Sequence, residues 1–225
     1  YALDLRGDAT SAVVDSFHAA RGDTQVVVRG RADFLPDRAD LDIAHADLWL
    51  AGNRWRLVDP LAAALGPGLL DVPRFHLVSD QGELLAEAHY AAADSVVTGQ
   101  LDVRNFDLNL LDPFLRERFR PGGRATAHAE VRGSPTLPEV IISGRVVGAA
   151  FDVARIDTLD LVGGFRDEVV TIDTLGLVTA DGRVGATGTI TNPGASLDAF
   201  WPDAALDLDL VVEGGELAFL RQFEL

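Results

Sequence analysis

The chain has 225 residues, 48% hydrophobic and 24% charged, long enough to bury a sizeable core and too apolar for a disordered polymer. Its 35 acidic residues face 19 basic ones, all arginine, and the formal charge of −16 suits neither nucleic acid nor an anionic bilayer surface, whose phosphates call for basic side chains. There is no Cys, so disulfides, thiol catalysis and thiolate metal sites are excluded together, and no apolar run of about 18 residues that would span a membrane as a helix.

Residues 1–6 alternate apolar and charged side chains and predict a strand, closed by a turn at Gly7-Asp8. Residues 11–20 and 24–31 predict a strand pair around Gly22-Asp23. Residues 39–50 put Leu41 and Ile43 on one face and re-phase before Leu48 and Leu50, which predicts a β-bulge. A turn at Gly52-Asn53 leads into a short strand at Trp55-Arg56-Leu57. Residues 59–66, DPLAAALG, predict a short helix with Asp59 as N-cap, Pro60 at the first helical position and Gly66 as the stop. Residues 112–119 open in the same way, Asp-Pro, and predict a second. From residue 124 onward the pattern is strand after strand (124–132, 139–147, 149–154, 155–162, 168–173, 175–179, 183–190 and 204–213), broken by Gly, Pro, Asn and Asp turns.

The strongest local signal is residues 169–190, two strands joined at Asp181-Gly182, where Asp-Gly suits the positive φ of a two-residue hairpin turn. Residues 70–90 repeat it 100 positions earlier: Val72 matches Ile172, Phe75 Leu175, Leu77 Leu177, Gly82 Gly182, Leu84 Val184 and Tyr90 Ile190. A second echo, shifted by 109, matches Leu101, Val103, Leu108, Leu111 and Phe114 with Leu210, Val212, Leu217, Leu220 and Phe223. Two copies of one unit predict an array, with residues 1–119 and 120–225 as successive segments of one continuous sheet, and a sequence that stops within a repeat and contains no Met is expected to be a piece of something longer.

No chemistry-bearing motif stands out. The five histidines, His18, His45, His76, His89 and His128, have no metal-binding spacing, and a solvated strand-face role is expected of them. Asp203, Asp207, Asp209 and Glu213 alternate like calcium ligands but lack an EF-hand loop or a glycine-rich nonapeptide array, so they read as a wet strand face. Ser16, Ser79, Ser95 and Ser143 lack a nucleophile elbow, and no glycine run sits at a strand-to-helix junction to hold phosphate. Carboxylate pairs arise by chance among so many acids. Trp49, Trp55 and Trp201 could make a sugar platform but read more simply as packing anchors. The expectation is a non-enzyme with no cofactor and no metal.

About fourteen antiparallel strands at about 4.8 Å spacing would make a sheet roughly 65 Å wide, which should curl rather than lie flat. The fold class predicted is therefore mostly β, an elongated, curled antiparallel sheet forming a groove, with one or two short helices. So few helices cannot cover the apolar face such strands share, and that face must meet a second sheet or something that is not protein. It is predicted to include Phe75, Leu77, Leu84, Tyr90, Leu101, Val103, Val184, Ile190, Leu206, Leu208, Leu210 and Val212, with Asp102, Arg104, Asp207 and Asp209 on the opposite face.

Several stretches resemble one family: LWLAGNRWRL at 48–57, FHLVSDQG at 75–82, GQLDVRNFDL at 99–108, GRATAHAEVRG at 123–133 with Pro138, Ile142-Ser-Gly-Arg-Val, and the Asp-Gly hairpin ending in Gly188-Thr-Ile190. Together they resemble TamB-like proteins, the inner-membrane component of the translocation and assembly module, within the wider AsmA-like group. The likeness covers about residues 40–223; the first forty residues match poorly, and the family's C-terminal region is not evident. The resemblance implies an inner-membrane-anchored periplasmic protein of Gram-negative bacteria whose long, taco-shaped sheet carries phospholipid acyl chains between membranes. It further implies neighbouring repeats of the same chain and an outer-membrane barrel of the TamA type as partners, the barrel reached through regions outside this piece. A role in outer-membrane protein assembly, through strand addition at exposed edges, is the alternative.

Overall fold

Side chains on a strand alternate between two faces, and the strands of this chain are long enough for that rule to govern most of it. The computed structural model describes residues 2–21, 24–111, 121–151, 154–191 and 204–214. They form β1 (Ala2–Gly7), β2 (Ser11–Arg21), β3 (Thr24–Phe34), β4 (Ala39–Leu50), β5 (Asn53–Leu57), β6 (Leu61–Gly66), β7 (Leu69–Ser79), β8 (Gly82–Ala91), β9 (Val96–Asp107), β10 (Pro121–Ser134), β11 (Leu137–Phe151), β12 (Ala154–Arg166), β13 (Val169–Thr179), β14 (Gly182–Thr191) and β15 (Ala205–Glu213). One 3₁₀ turn covers Leu108–Leu111. The fold class is mostly β, an antiparallel sheet of fifteen strands.

The chain divides into two compact units, Tyr1–Phe106 with Val131–Thr136, and Asp107–Glu130 with Leu137–Leu225. In the first unit the strand order is β1-β2-β3-β4-β5-β7-β8-β9, and β6 shares with β5 the place between β4 and β7. In the second, β11 to β15 pair consecutively. Sequence neighbours are thus sheet neighbours, the arrangement short turns enforce.

The helix expected over residues 59–66 is not formed: β6 occupies Leu61–Gly66. Its Ala and Leu favour a helix in isolation, but here they sit between two open strand edges. β6 pairs with β4 from Ala39↔Leu65 to Ile43↔Leu61 and with β7 through Ala64↔Asp71, Leu65↔Leu70 and Gly66↔Leu69. A helix would leave those edge N–H and C=O groups without partners. Pro60, which has no N–H to give, marks the break between β5 and β6 instead. The second expected helix, residues 112–119, lies outside the described residues.

Two breaks expected inside strands are irregularities within continuous ones. Gly148 (φ 63) interrupts β11 without ending it, and β13 runs through Asp173 and Thr174 as a bulge. The bulge expected in β4 is present: β3 and β4 shift register between Arg29↔His45 and Gly30↔Ile43, leaving Ala44 unpaired. The hairpin turn sits one residue earlier than expected. Thr179 pairs with Gly182, so Ala180 and Asp181 are the two turn residues and Gly182 begins β14. The Asp181 backbone N–H donates to Thr179 Oγ1 at 3.3 Å, and in the earlier copy the Gln81 N–H donates to Ser79 Oγ at 2.9 Å. Both turns are therefore held by a hydroxyl two residues back rather than by Asp-Gly chemistry.

Curling is visible within the first unit. β5 and β9 are three strand spacings apart, about 14 Å in a flat sheet, yet the rings of Trp55 and Phe106 meet with centroids 5.5 Å apart. Gly82, between them in the register, makes this possible. A Cβ there would lie 2.8 Å from the Phe106 Cα, and its φ of 147° belongs to glycine.

Candidate functional site

The pairing registers put apolar side chains in rows running across the strands. In the first unit one row reads Leu57, Leu77, Leu84, Val103 across β5, β7, β8 and β9, and the next Phe75, Ala86, Leu101. Leu65, Leu70, Tyr90 and Val97 form a third across β6 to β9. Toward β1 the same face continues as Leu3, Phe17, Val28 and Ala46.

The second unit repeats the design more regularly. From β11 to β15 the rows are Val146, Leu159, Leu177, Val184, Val212; Gly144, Leu161, Leu175, Ala186, Leu210; Ile142, Gly163, Ile172, Gly188, Leu208; and Val140, Phe165, Val170, Ile190, Leu206. The repeat is one of register as well as of residue type. Leu70↔Tyr90, Phe75↔Ala86 and Leu77↔Leu84 recur as Val170↔Ile190, Leu175↔Ala186 and Leu177↔Val184, and both hairpins shift register at the same place, Val72/Phe75 and Ile172/Leu175. β2 has the same irregularity at Val14/Phe17. All three bulges carry a β-branched residue, two polar or Pro residues, and a large apolar residue, so the extra residue leaves the apolar phase intact on both sides.

This face is not sealed by protein. In the rows of the second unit only Ala186, Ile190 and Gly163 are buried, and the rest are partly exposed or exposed, up to 65% for Leu206 and 67% for Leu210. In the first unit Trp55, Leu57 and Leu77 are buried, while Leu3, Leu5, Phe34, Leu65 and Leu101 are exposed. Runs of exposed apolar side chains of this kind are uncommon on the surfaces of monomeric proteins.

The opposite face carries the charge. Arg6 pairs there with Asp15, Arg31 with Asp33 at 2.6 Å, Arg104 with Glu83 at 3.4 Å and Arg145 with Asp160. Thr187, Thr189, Asp207 and Asp209 share it on β14 and β15, with Ile141, Val147, Val162 and Val211 as apolar exceptions. Among the described residues Asp47 is its one nearly covered carboxylate, with a side chain 6% exposed, taking hydrogen bonds from Arg54 at 2.7 and 3.0 Å and from His45 at 2.9 Å. The Arg54 guanidinium, and then the His45 ring, hold Asp47 below the ordinary carboxylate value against the opposing pull of burial. The histidines are likewise strand-face residues with polar partners: His76 with Glu83, His89 with Asp71, His128 with Glu130 and His18 with Gln25.

The twelve residues expected on the apolar face are all on it in their own unit, six in the first and six in the second. Asp102 and Arg104 are on the other side, as are Asp207 and Asp209. Sequence reading missed the β11 and β12 members, Val140, Ile142, Val146, Leu159, Leu161 and Phe165, whereas Trp55, expected as a packing anchor, is buried at 1% exposure. The alternation Leu159-x-Leu161 and its continuation past Gly163-Gly164 to Phe165 carried that signal, but the two glycines read as a chain break. Trp49 and Trp55 fall on opposite faces of the β4–β5 pair, so they form no common platform, and Trp201 is outside the described residues. Among the described residues no group of three or more His, Asp or Glu could hold a metal ion.

In each unit, fold and face together define an amphipathic antiparallel array of strands with one charged side and one open apolar side. Compared with family models, curated proteins and solved structures, the chain matches none.

Proposed function

We propose that the open apolar face of each unit is a non-enzymatic binding surface for lipid acyl chains, and that the chain is a stretch of a periplasmic lipid-transfer bridge of the TamB-like kind that its motifs resemble. The observation that carries this reading is the separation of faces: rows of Leu, Val, Ile and Phe cross the strands on one side, half open, while the ion pairs lie on the other. An acyl chain laid along those rows loses its contact with water at about 0.8 kcal/mol per methylene. Because successive rows offer near-equivalent side chains, such a chain can shift from row to row without meeting a deep trap. The inner-membrane anchor, the transfer between membranes and the outer-membrane barrel partner belong to the same proposal.

Lipids with a photoreactive acyl terminus test it. Adducts mapped by mass spectrometry are expected on the apolar rows, for instance at Leu84, Leu101, Leu161 and Leu175, and not at Thr171 or Asp209. Equal labelling of both faces, or no lipid carried through purification, would count against the reading.

A second reading, a scaffold for outer-membrane proteins, draws on the edges. Every residue of β1 and of β15 is exposed, and open strand edges accept added strands. Protection of β15 amides from exchange by an unfolded barrel substrate, with no lipid adducts, would favour it.

A further inference from the structure

An open cleft of about 470 Å³ lies at one end of the strands in the first unit, lined by Gly52, Asn53, Arg54, Arg56, Val78, Ser79 and Asp80. Its lining wraps the rim of the sheet. Asn53 and Ser79 are on the apolar side by alternation, Arg54, Arg56 and Val78 on the charged side, and Gly52 and Asp80 in the two turns between. Arginines of this unit such as Arg6, Arg31, Arg38, Arg54, Arg74 and Arg104 each have a carboxylate within ion-pair distance. Among the described residues of this unit Arg29 and Arg56 have none, and of these two it is Arg56 that lines the cleft, opposite an Asp47 whose oxygens Arg54 and His45 already occupy; Asp80 in the same cleft has no cationic partner.

A cation and a carboxylate left unpaired in one rim cleft, next to an apolar face, complement a ligand with both charges. We propose that this cleft seats a zwitterionic lipid headgroup, a phosphodiester bearing a primary ammonium; the inference rests on the acyl-chain reading above. Arg56 offers the phosphate a planar fork of donors, with the Asn53 amide beside it. Asp80 accepts N–H hydrogen bonds from the ammonium, which a quaternary ammonium cannot donate, and no aromatic ring lines the cleft to hold a quaternary group by cation–π contact. A headgroup carrying negative charge alone would meet Asp80 as a like charge. The acyl chains would leave the cleft past Asn53 and Ser79, over the buried Trp55 and Leu77, toward the partly exposed Leu84 and Val103 on the apolar face.

The test compares binding of short-chain diacyl phosphatidylethanolamine, phosphatidylglycerol and phosphatidylcholine to the purified chain and to Arg56→Gln and Asp80→Asn. Wild type is expected to favour the ethanolamine lipid about threefold to fivefold, the range of solvent-exposed charge pairs. Asp80→Asn should abolish that preference and Arg56→Gln should weaken all three lipids. Unchanged ratios in both variants, with lipid still bound, overturn the headgroup site and leave the apolar-face reading standing. Should wild type bind no diacyl lipid, the apolar-face reading falls, and glycerophosphoethanolamine decides the cleft: NMR shifts at Arg56 and Asp80 that the variants lose support it, and their absence overturns it.

Discussion

Asp47 shows how one residue couples the charged face to stability. Its carboxylate is held below the ordinary value by Arg54 first and His45 second. A depressed folded-state value means the stabilisation is fully present above the unfolded value of about 3.8 and fades as pH falls through the folded one. Asp47→Asn should therefore lower the unfolding free energy measured in urea at neutral pH by about 1–2 kcal/mol, and the difference from wild type should shrink as pH falls below 3.8. A constant difference across that range would show the ion pair contributes nothing. Glycines give a sharper contrast at the same scale. Gly82→Ala forces a Cβ to 2.8 Å from the Phe106 Cα at φ 147°, and should cost about 1–3 kcal/mol. Gly176→Ala, whose nearest neighbour would be the Asp160 Cβ at 3.8 Å, should be neutral or slightly stabilising, both variants being compared with wild type by urea unfolding.

Among the elements, β6 is where sequence and structure part. If Leu61–Gly66 is held as a strand by its two neighbours, Ala62→Thr should be tolerated or should stabilise by up to about 1 kcal/mol, because β-branched residues suit a paired strand and would weaken a helix. Loss of stability on that change would favour a helix. The hairpins were legible because period-two alternation and the echo at 100 residues are properties of sequence alone. Helix and strand propensity are also local, but the decision at residues 61–66 was made by the open edges of β4 and β7, which no window around Leu61 contains. Gly163-Gly164 misled in the opposite direction: such a pair ends most elements, yet here Gly163 lies where its Cβ would come 2.3 Å from the Thr171 carbonyl oxygen, and close strand approach explains it. On the face itself, the members within the echoed hairpins and the last strand were readable, Phe75 beyond its bulge included, whereas Leu159 and Leu161, which run into the glycine pair, were not.

For the molecule as a whole, the open face predicts an uneven tolerance of charge. Val103→Asp and Leu208→Asp place a carboxylate on half-exposed or exposed positions where water can reach it, so both proteins should remain folded by circular dichroism. Lipid adducts should nevertheless disappear around the substituted row, since an acyl chain passing it would have to strip the carboxylate of water. Leu77→Asp, at 7% exposure, should unfold the first unit or cost several kcal/mol. Equal loss of folded protein from all three would mean the face is covered by protein, and undiminished adducts in the first two would argue against passage along it.

The consecutive pairing of strands has a consequence for how the chain is made. Strands from β1 to β5 and from β11 to β15 each need only the strand just synthesised, and among the described residues the longer waits are those of β4 for β6 and of β5 for β7. Loop closure is then short at nearly every step, so such a chain can zip up in the order it emerges from a ribosome or a translocation pore. Trimming it at a turn should shorten the zipper rather than undo it.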